Sequence, residues 1–156
     1  MASFTNILVP FDGSDAAKRA LDAALGIAAE NATITLLQAA DQPFAADPTA
    51  VVAERMAGVV RSEEETEKDI AAYWENVETS LARIAEEACA ESGKDVKMVT
   101  TAVEGNPAVV ITNYAEKNGV DIIVMGRRGL GSVRSMLGSV SQRVAHETDL
   151  PLLLVK

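Results

Sequence analysis

Short apolar runs alternate along the chain with longer segments in which apolar residues recur every three or four positions. The short runs are typical of buried strands and the longer segments of amphipathic helices, so the pattern indicates β-α-β units that build a parallel sheet. We expect five strands and four main helices. The predicted strands span residues 6–11, 34–39, 96–103, 120–125 and 151–155.

The helices are delimited by capping signals. Ser14 can cap the first helix, Ser62–Glu65 has the spacing of a capping box at the start of the second, and Asn106 precedes a proline at the start of the third. Glycines after the second and third helices favour a stop there. The predicted helices run from residue 15 to about 31, from 62 to 93, from 106 to 119 and from about 139 to 147.

The fourth predicted strand, Val120–Met125, carries isoleucine and valine on consecutive positions, as expected when helices cover both faces of a parallel sheet. If the chain winds outward in one direction and then returns to wind in the other, the strand order is 3-2-1-4-5. A length of 156 residues suits one compact domain. The predicted fold is therefore α/β: a single domain over residues 1–156 with an open five-stranded parallel sheet, helices on both faces and a Rossmann-like arrangement.

The chain carries a formal net charge of −9, which argues against general nucleic-acid binding because such domains present basic surfaces. The segment from Ile122 to His146 nevertheless holds four arginines and no acidic residue. A small anionic ligand can find a favourable place there, although chance clustering on a solvated face explains the same charges.

No stretch approaches the roughly 18–20 apolar residues that span a bilayer, and the first ten residues lack the basic region of a signal peptide. The single cysteine, Cys89, cannot form an internal disulfide, which agrees with a reducing compartment. We expect no membrane association and a cytoplasmic location.

A glycine-rich stretch follows the fourth predicted strand, and Asp12 with Gly13 follows the first. In the order 3-2-1-4-5 these two strand ends face one crevice, the place where open parallel sheets bind ligands. Glycine permits positive φ and lets successive amide N–H groups approach an oxyanion, and a helix start at Gly138 offers more N–H groups and a positive dipole end. The hydroxyls of Ser139 and Ser141 can add donors.

This stretch predicts a phosphate cradle, with a purely structural loop as the alternative. It is neither of the familiar phosphate motifs, because the chain has no G-x-x-x-x-G-K-[ST] and no G-x-G-x-x-G directly after the first strand. The motif alone therefore does not identify the ligand.

Three segments resemble the universal stress protein family: NILVPFDGSDAAKRALDAALGIA near the start, VEGNPAVVITNYAEKNGVDIIVMGRRG in the second half and LGSVSQRVAHETDLPLLLV at the end. The resemblance covers nearly the whole chain and implies that family's Rossmann-like fold, which is similar to that of the adenine nucleotide alpha hydrolases. Nucleotide-binding members carry G-x2-G-x9-G-[ST] after the fourth strand and an Asp after the first, and they bind ATP in the crevice. The resemblance thus implies ATP as the ligand, together with Mg²⁺.

The resemblance also assigns roles to positions in this chain. Asp12 is expected to face the ribose or to bind the metal. The expected phosphate set is Gly126, Gly129, Gly138 and Ser139, with Ser141 beside them. Apart from the resemblance, Arg127 and Arg128 can contact a phosphate, although arginines after a strand also face solvent, and Arg127 is included in the predicted set. The residues that match adenine-lining positions are Pro10, Ala39 and Met125. Val140, at the start of the fourth helix, completes the predicted binding set.

One departure from the family's pattern bears on the ligand. Eight residues, Leu130–Leu137, lie between Gly129 and Gly138, where the pattern has nine. A tighter turn aided by Gly131 can absorb the missing residue. The same change can tilt the Gly138 amide away from a γ-phosphate, which leaves ATP, a smaller nucleotide and no nucleotide open.

The sequence predicts a regulatory nucleotide-binding protein of the stress response, whose loops or dimer change state with occupancy. Alternatives are a nucleotide-free dimeric scaffold of the same family and an enzyme, such as a slow ATP hydrolase or an adenylyl-transferring domain. The H-x-G-H and S-G-G-x-D-S signatures of related nucleotidyl transferases are missing from the sequence. A flavin-binding electron carrier is a further alternative, and fold analogy alone supports it.

The last predicted strand, residues 151–155, forms an apolar sheet edge, and such an edge invites pairing with a second copy. Members of the family that resemble this chain commonly form homodimers through that strand. We expect a homodimer here, with an edge covered by the chain's own loops as the alternative.

Overall fold

The computed structural model describes residues 3–41, 52–54, 56–58, 62–130 and 137–156. Its strands are β1 (Phe4–Pro10), β2 (Ala28–Ala40), β3 (Lys97–Glu104), β4 (Ile122–Gly126) and β5 (Leu152–Val155). They form one parallel sheet in the order β3-β2-β1-β4-β5, which confirms the predicted topology. Because β1 and β4 are neighbours, their carboxyl ends meet where the winding direction reverses.

Four helices of nine residues or more lie in the described ranges: α1 (Asp15–Ile27), α2 (Glu63–Ser92), α3 (Pro107–Lys117) and α4 (Ser139–Glu147). α1 and α2 pack on one face of the sheet, and α3 and α4 pack on the other. In the same ranges no helix combines the length and the apolar character needed to cross a bilayer. The single domain over residues 1–156 stays a prediction.

Two apolar cores explain the consecutive apolar positions in the strands. Ile7 and Val124 are buried beneath α1 and α2, whereas Leu8 and Ile123 are buried beneath α3 and α4. Burial of one such side chain contributes about 1.5–3 kcal/mol. The central strands are therefore fixed from both sides, and the loops at their carboxyl ends start from rigid positions.

The predicted helix caps are confirmed. The hydroxyl of Ser14 accepts a hydrogen bond from the backbone N–H of Ala17 at 3.1 Å. Ser62 and Glu65 form a reciprocal capping box with distances of 3.2 and 3.0 Å. Asn106 caps α3 through its side-chain oxygen.

The predicted end of the first helix near Asn31 is wrong, because α1 ends at Ile27 and β2 begins at Ala28. Ala28 pairs with Phe4 of β1, so sheet pairing rather than helix propensity decides this alanine-rich segment. Asn31 has the left-handed φ of 60° and donates its N–H to the carbonyl of Asp95 at 2.8 Å. β2 thus starts six residues before the predicted strand, whereas the ends of β3, β4 and β5 differ from prediction by no more than two residues.

The amino ends of β1 and β4 are joined by the carboxylate of Asp121. It accepts hydrogen bonds from the N–H groups of Thr5 and Asn6 and from the Thr5 hydroxyl, each at 2.8 Å. The Thr5 backbone bond is the largest cause of a lowered pKa of Asp121, followed by the Thr5 hydroxyl. This joint fixes the two strands at the end opposite their carboxyl termini.

Candidate functional site

A cavity of about 310 Å³ lies at the carboxyl ends of β1 and β4 and is bordered by the starts of α1, α3 and α4. This volume is at the lower end of the roughly 300–1,000 Å³ typical of small-molecule sites. The position is the one that the predicted strand order gives to a ligand crevice.

Much of the cavity lining is apolar. Pro10 ends β1, Leu37 and Ala39 come from β2, Met125 comes from β4 and Ile111 comes from α3. Together they form a surface on which a flat aromatic ring can be buried.

Asp12 provides the only acidic side chain among the described residues that line the cavity. Its Oδ1 accepts a hydrogen bond from the N–H of Ser14 at 2.9 Å, and its Oδ2 accepts one from the N–H of Leu130 at 3.3 Å. Gly13, which lies between Asp12 and Ser14, has a φ of 82°, a left-handed conformation that glycine adopts readily. The carboxylate thus bridges the loops that follow β1 and β4.

The start of α4 faces the cavity without a side-chain cap. Its N-cap is Gly138, which has no side chain to accept an N–H, whereas Ser14, Ser62 and Asn106 cap α1, α2 and α3. The first N–H groups of a helix require an acceptor and carry the positive end of the helix dipole. α4 therefore presents backbone donors suited to an oxyanion.

The hydroxyl of Ser141 is used inside the protein. Ser141 is 3% exposed and donates a hydrogen bond to the carbonyl oxygen of Gly126 at 2.9 Å. Because a hydroxyl has a single proton, donation to a phosphate would first require this bond to break. Ser141 lines the cavity as a structural contact between α4 and β4.

The loop glycines permit close approach of backbone segments. A Cβ on Gly126 would lie 2.8 Å from the Cβ of Ala16, and a Cβ on Gly138 would lie 3.3 Å from the Cα of Arg128. A Cβ on Gly129 would collide with the carboxylate of Asp12. None of these three glycines has a left-handed backbone, so the positive φ that glycine permits is not used at these positions.

Ten of the eleven predicted binding residues line this one cavity, and their role in binding stays a prediction. The ten are Pro10, Asp12, Ala39, Met125, Gly126, Gly129, Gly138, Ser139, Val140 and Ser141. Arg127 does not line it. Its Nε is buried without a hydrogen-bond partner in the described part of the chain. Its backbone N–H donates to the carbonyl of Val155 at 2.7 Å, and its carbonyl accepts a hydrogen bond from the N–H of Gly138 at 3.0 Å.

Sequence reasoning missed several lining residues. Leu37 lies two positions before Ala39 on β2, so the two-residue period of a strand was a usable signal for it. Arg128 lines the cavity in place of Arg127, and side-chain direction after a strand end has no sequence signal. The other missed residues are Phe11, Ser14, Ala17, Pro107, Ile111 and Leu130.

The donor set fits a metal ion only in part. Asp12 offers one carboxylate, and the described residues hold no group of three or more His, Cys, Asp or Glu side chains suited to a metal. Mg²⁺ at nucleotide sites is commonly held by one or two carboxylates together with substrate phosphates. The arrangement thus fits Mg²⁺ that arrives with a nucleotide, with Asp12 as its protein ligand.

Comparison with known proteins gives matches along the whole chain. The family model described as the Universal stress protein family matches residues 3–156. Universal stress protein YxiE of Bacillus subtilis is 33% identical over 155 residues, which cover 98% of this chain and 99% of the relative. The solved structure of protein MJ0577 of Methanocaldococcus jannaschii has a TM-score of 0.73 and 27% identity and covers 99% of this chain and 97% of that one.

Two further solved universal stress proteins share the fold and contain nucleotides. One is a complex with cAMP, with a TM-score of 0.58, 24% identity and coverage of 99% of this chain and 98% of that one. The other, from Archaeoglobus fulgidus, is a complex with dAMP, with a TM-score of 0.57, 17% identity and coverage of 99% and 100%. At these identities the likeness is one of fold.

Proposed function

Because the chain belongs to the universal stress protein family, we propose that it is a regulatory protein of the stress response that binds an adenine nucleotide at the carboxyl ends of β1 and β4. Occupancy of the cavity changes the state of the surrounding loops or of a dimer, and this change is the signal passed on. The proposal follows the function class that the sequence predicts.

One observation carries the proposal: ten residues from four separate chain segments, predicted to bind a nucleotide, line a single cavity. The apolar lining from β1, β2 and β4 suits an adenine ring, and the uncapped start of α4 suits a phosphate. Fold neighbours bound to cAMP and dAMP support an adenine nucleotide as the class of ligand.

The family resemblance names ATP with Mg²⁺ as the ligand. Asp12 would hold the metal, and Mg²⁺ would neutralise part of the charge that the phosphates bring to this carboxylate. Ser139 and Val140 would donate their N–H groups to phosphate oxygens, and Ala39 and Met125 would contact the adenine. We propose no catalytic residue, since the roles assigned to this chain are those of binding.

We also propose a homodimer through the edge strand β5, within a cytoplasmic protein. Each of the four residues of β5 is half-buried. β5 is the last strand in the sheet order and is hydrogen-bonded to β4 on its inner side. An apolar strand at a sheet edge can pair with a second copy across a two-fold axis.

The test combines nucleotide release with titration. Purified protein is heat-denatured, the supernatant is separated by anion-exchange chromatography, and AMP, ADP and ATP are then titrated calorimetrically into nucleotide-free protein. We expect an adenine nucleotide in the supernatant and saturable binding heat. The absence of both signals would favour the nucleotide-free scaffold, and steady release of phosphate from ATP would favour a hydrolase.

A matched pair of variants locates the binding. Ala39→Phe fills the apolar part of the cavity and is expected to weaken binding at least about tenfold, because the ring occupies the place of the adenine. Ala82→Phe makes the same change on the exposed surface of α2 and should bind as the wild type does. Equal binding by both variants would contradict the proposed site.

A further inference from the structure

The carboxylate of Asp12 already occupies part of the loop that is expected to hold phosphates. It accepts the N–H of Leu130 at 3.3 Å and the N–H of Ser14 at 2.9 Å, and it lies so close to Gly129 that a Cβ there would collide with it. Backbone N–H groups in such a loop are the donors that an anionic ligand would use. The carboxylate of Asp12 therefore occupies the position at the loop after β4 that an oxyanion of a ligand would take.

We propose that Asp12 is a specificity residue, which makes the site select adenine nucleotides with one phosphate over those with two or three when no divalent cation is present. This inference rests on the proposed function, because it concerns the same cavity.

A single phosphate has donors that Asp12 does not use. α4 begins without a side-chain cap, and Ser139 and Val140 at its first two positions line the cavity. Their N–H groups belong to a different segment from the N–H groups of Ser14 and Leu130. A nucleoside monophosphate can therefore be held with the contacts of Asp12 intact.

A longer phosphate chain approaches Asp12. The start of α4 lies directly against the segment after β4, since a Cβ on Gly138 would be 3.3 Å from the Cα of Arg128. Further phosphates that follow this segment towards Gly129 come close to the Asp12 carboxylate, and this path brings like charges together.

The charges of the cavity lining act in the same direction. Among the described residues that line the cavity, Arg128 is the one cation and Asp12 is the one acidic residue. These two charges offset each other, so this part of the lining adds no net positive charge for a second and third phosphate unless a metal ion comes with them.

The experiment is a calorimetric titration of the full chain with AMP, ADP and ATP, once in EDTA and once in Mg²⁺. In EDTA we expect the wild type to bind AMP at least about tenfold more tightly than ATP, and Mg²⁺ to narrow the difference. Asp12→Asn removes the charge and keeps an acceptor oxygen, so the ratio in EDTA should fall to within about threefold. Asp22→Asn, on the exposed side of α1, is the matched control and should keep the wild-type ratio.

The outcomes separate the two proposals. If no adenine nucleotide binds, the proposed function and this inference both fail. If AMP binds but ATP binds equally well or better in EDTA, or if Asp12→Asn leaves the ratio unchanged, the inference alone fails.

A wild-type measurement covers the case in which the Asp12 variant does not fold. In two-dimensional ¹⁵N–¹H spectra, AMP is expected to shift the amide signals of Ser139 and Val140 and to leave that of Leu130 in place. ATP with Mg²⁺ is expected to shift the Leu130 amide as well, because the metal competes for the carboxylate. A Leu130 amide that shifts as strongly with AMP in EDTA would overturn the inference.

Discussion

The hydroxyl of Ser141 donates a hydrogen bond of 2.9 Å to the carbonyl oxygen of Gly126, and this bond joins the first turn of α4 to the end of β4. Both residues line the proposed nucleotide cavity. The backbone of the loop after β4 and the start of α4 are therefore held in a fixed relation by the protein itself. Such a framework lowers the cost of ordering the site when a ligand binds.

Ser141→Ala should lower the free energy of unfolding by about 1–2 kcal/mol, because the part-buried carbonyl of Gly126 loses the hydrogen bond from the Ser141 hydroxyl. Urea unfolding measures this change. Ser139→Ala removes an exposed hydroxyl from the same turn and should change stability by less than about 0.5 kcal/mol. An equal loss in the two variants would contradict the structural role of Ser141.

Gly126→Ala should destabilise the protein by about 1–3 kcal/mol, because the added methyl group overpacks the contact between β4 and α1. The new Cβ would lie 2.8 Å from the Cβ of Ala16 and 3.1 Å from the backbone nitrogen of Ala17, and backbone can yield little. The midpoint of thermal or urea unfolding checks the prediction.

Gly26→Ala is the control for that substitution. A Cβ at Gly26 meets nothing within 4 Å and lies in helix α1, so alanine there should stabilise the protein by about 0.4–1 kcal/mol. If Gly126→Ala were as well tolerated as Gly26→Ala, the close packing described for the end of β4 would be incorrect.

The strand order and the location of the cavity could be predicted from the sequence. Both follow from the alternation of short apolar runs with amphipathic helical segments and from right-handed β-α-β connections. Helix starts could be predicted because Ser14, Ser62 and Asn106 act through local hydrogen bonds. The helix caps depend on neighbours that are close in the sequence.

Features that depend on tertiary packing could not be predicted in this way. The alanine-rich segment after Ile27 is compatible with a helix or a strand, and its pairing with Phe4 of β1 decides the outcome. A left-handed φ does not explain the glycines at 126 and 138. A side chain at Gly126 would meet Ala16, and a side chain at Gly138 would meet the backbone of Arg128. The bond between Asp12 and Leu130 likewise joins residues far apart in the chain.

Asp121→Asn should lower the free energy of unfolding by about 1 kcal/mol at pH 7, because an amide replaces an oxygen that accepts three hydrogen bonds. The folded-state pKa of Asp121 is lowered below its ordinary value of 3.8. Its stabilisation is therefore fully present above that value and is lost as the pH falls through the folded-state pKa.

Urea unfolding of wild type and Asp121→Asn between pH 7 and pH 3 measures this effect, and the difference between them should shrink below about pH 4. Thr5→Val removes the hydroxyl donor alone and should reproduce part of the loss. A difference that is constant over the whole pH range would show that the charge of Asp121 contributes nothing.

The proposed dimer depends on the open side of β5. The carbonyl of Pro151 accepts a hydrogen bond from Ile123 of β4, and that of Val155 accepts one from Arg127, directly after β4. By alternation Leu153 also faces β4, while Leu152 and Leu154 present their backbone groups to the edge. Leu154→Pro removes an outward N–H, a change that edge strands tolerate.

Sedimentation equilibrium should give twice the chain mass of 16.4 kDa for the wild type and the chain mass for Leu154→Pro. Circular dichroism should show the same secondary structure in both proteins. A wild type that is monomeric at every concentration, or a variant that dimerises as strongly as the wild type, would exclude pairing through β5.

The most direct test of the central claim is a crystal structure of the chain grown with AMP. We predict the adenine against Ala39 and Met125, and phosphate oxygens within about 3 Å of the backbone nitrogens of Ser139 and Val140. A nucleotide bound elsewhere on the protein, or a cavity filled by the chain's own side chains in the presence of saturating AMP, would contradict it.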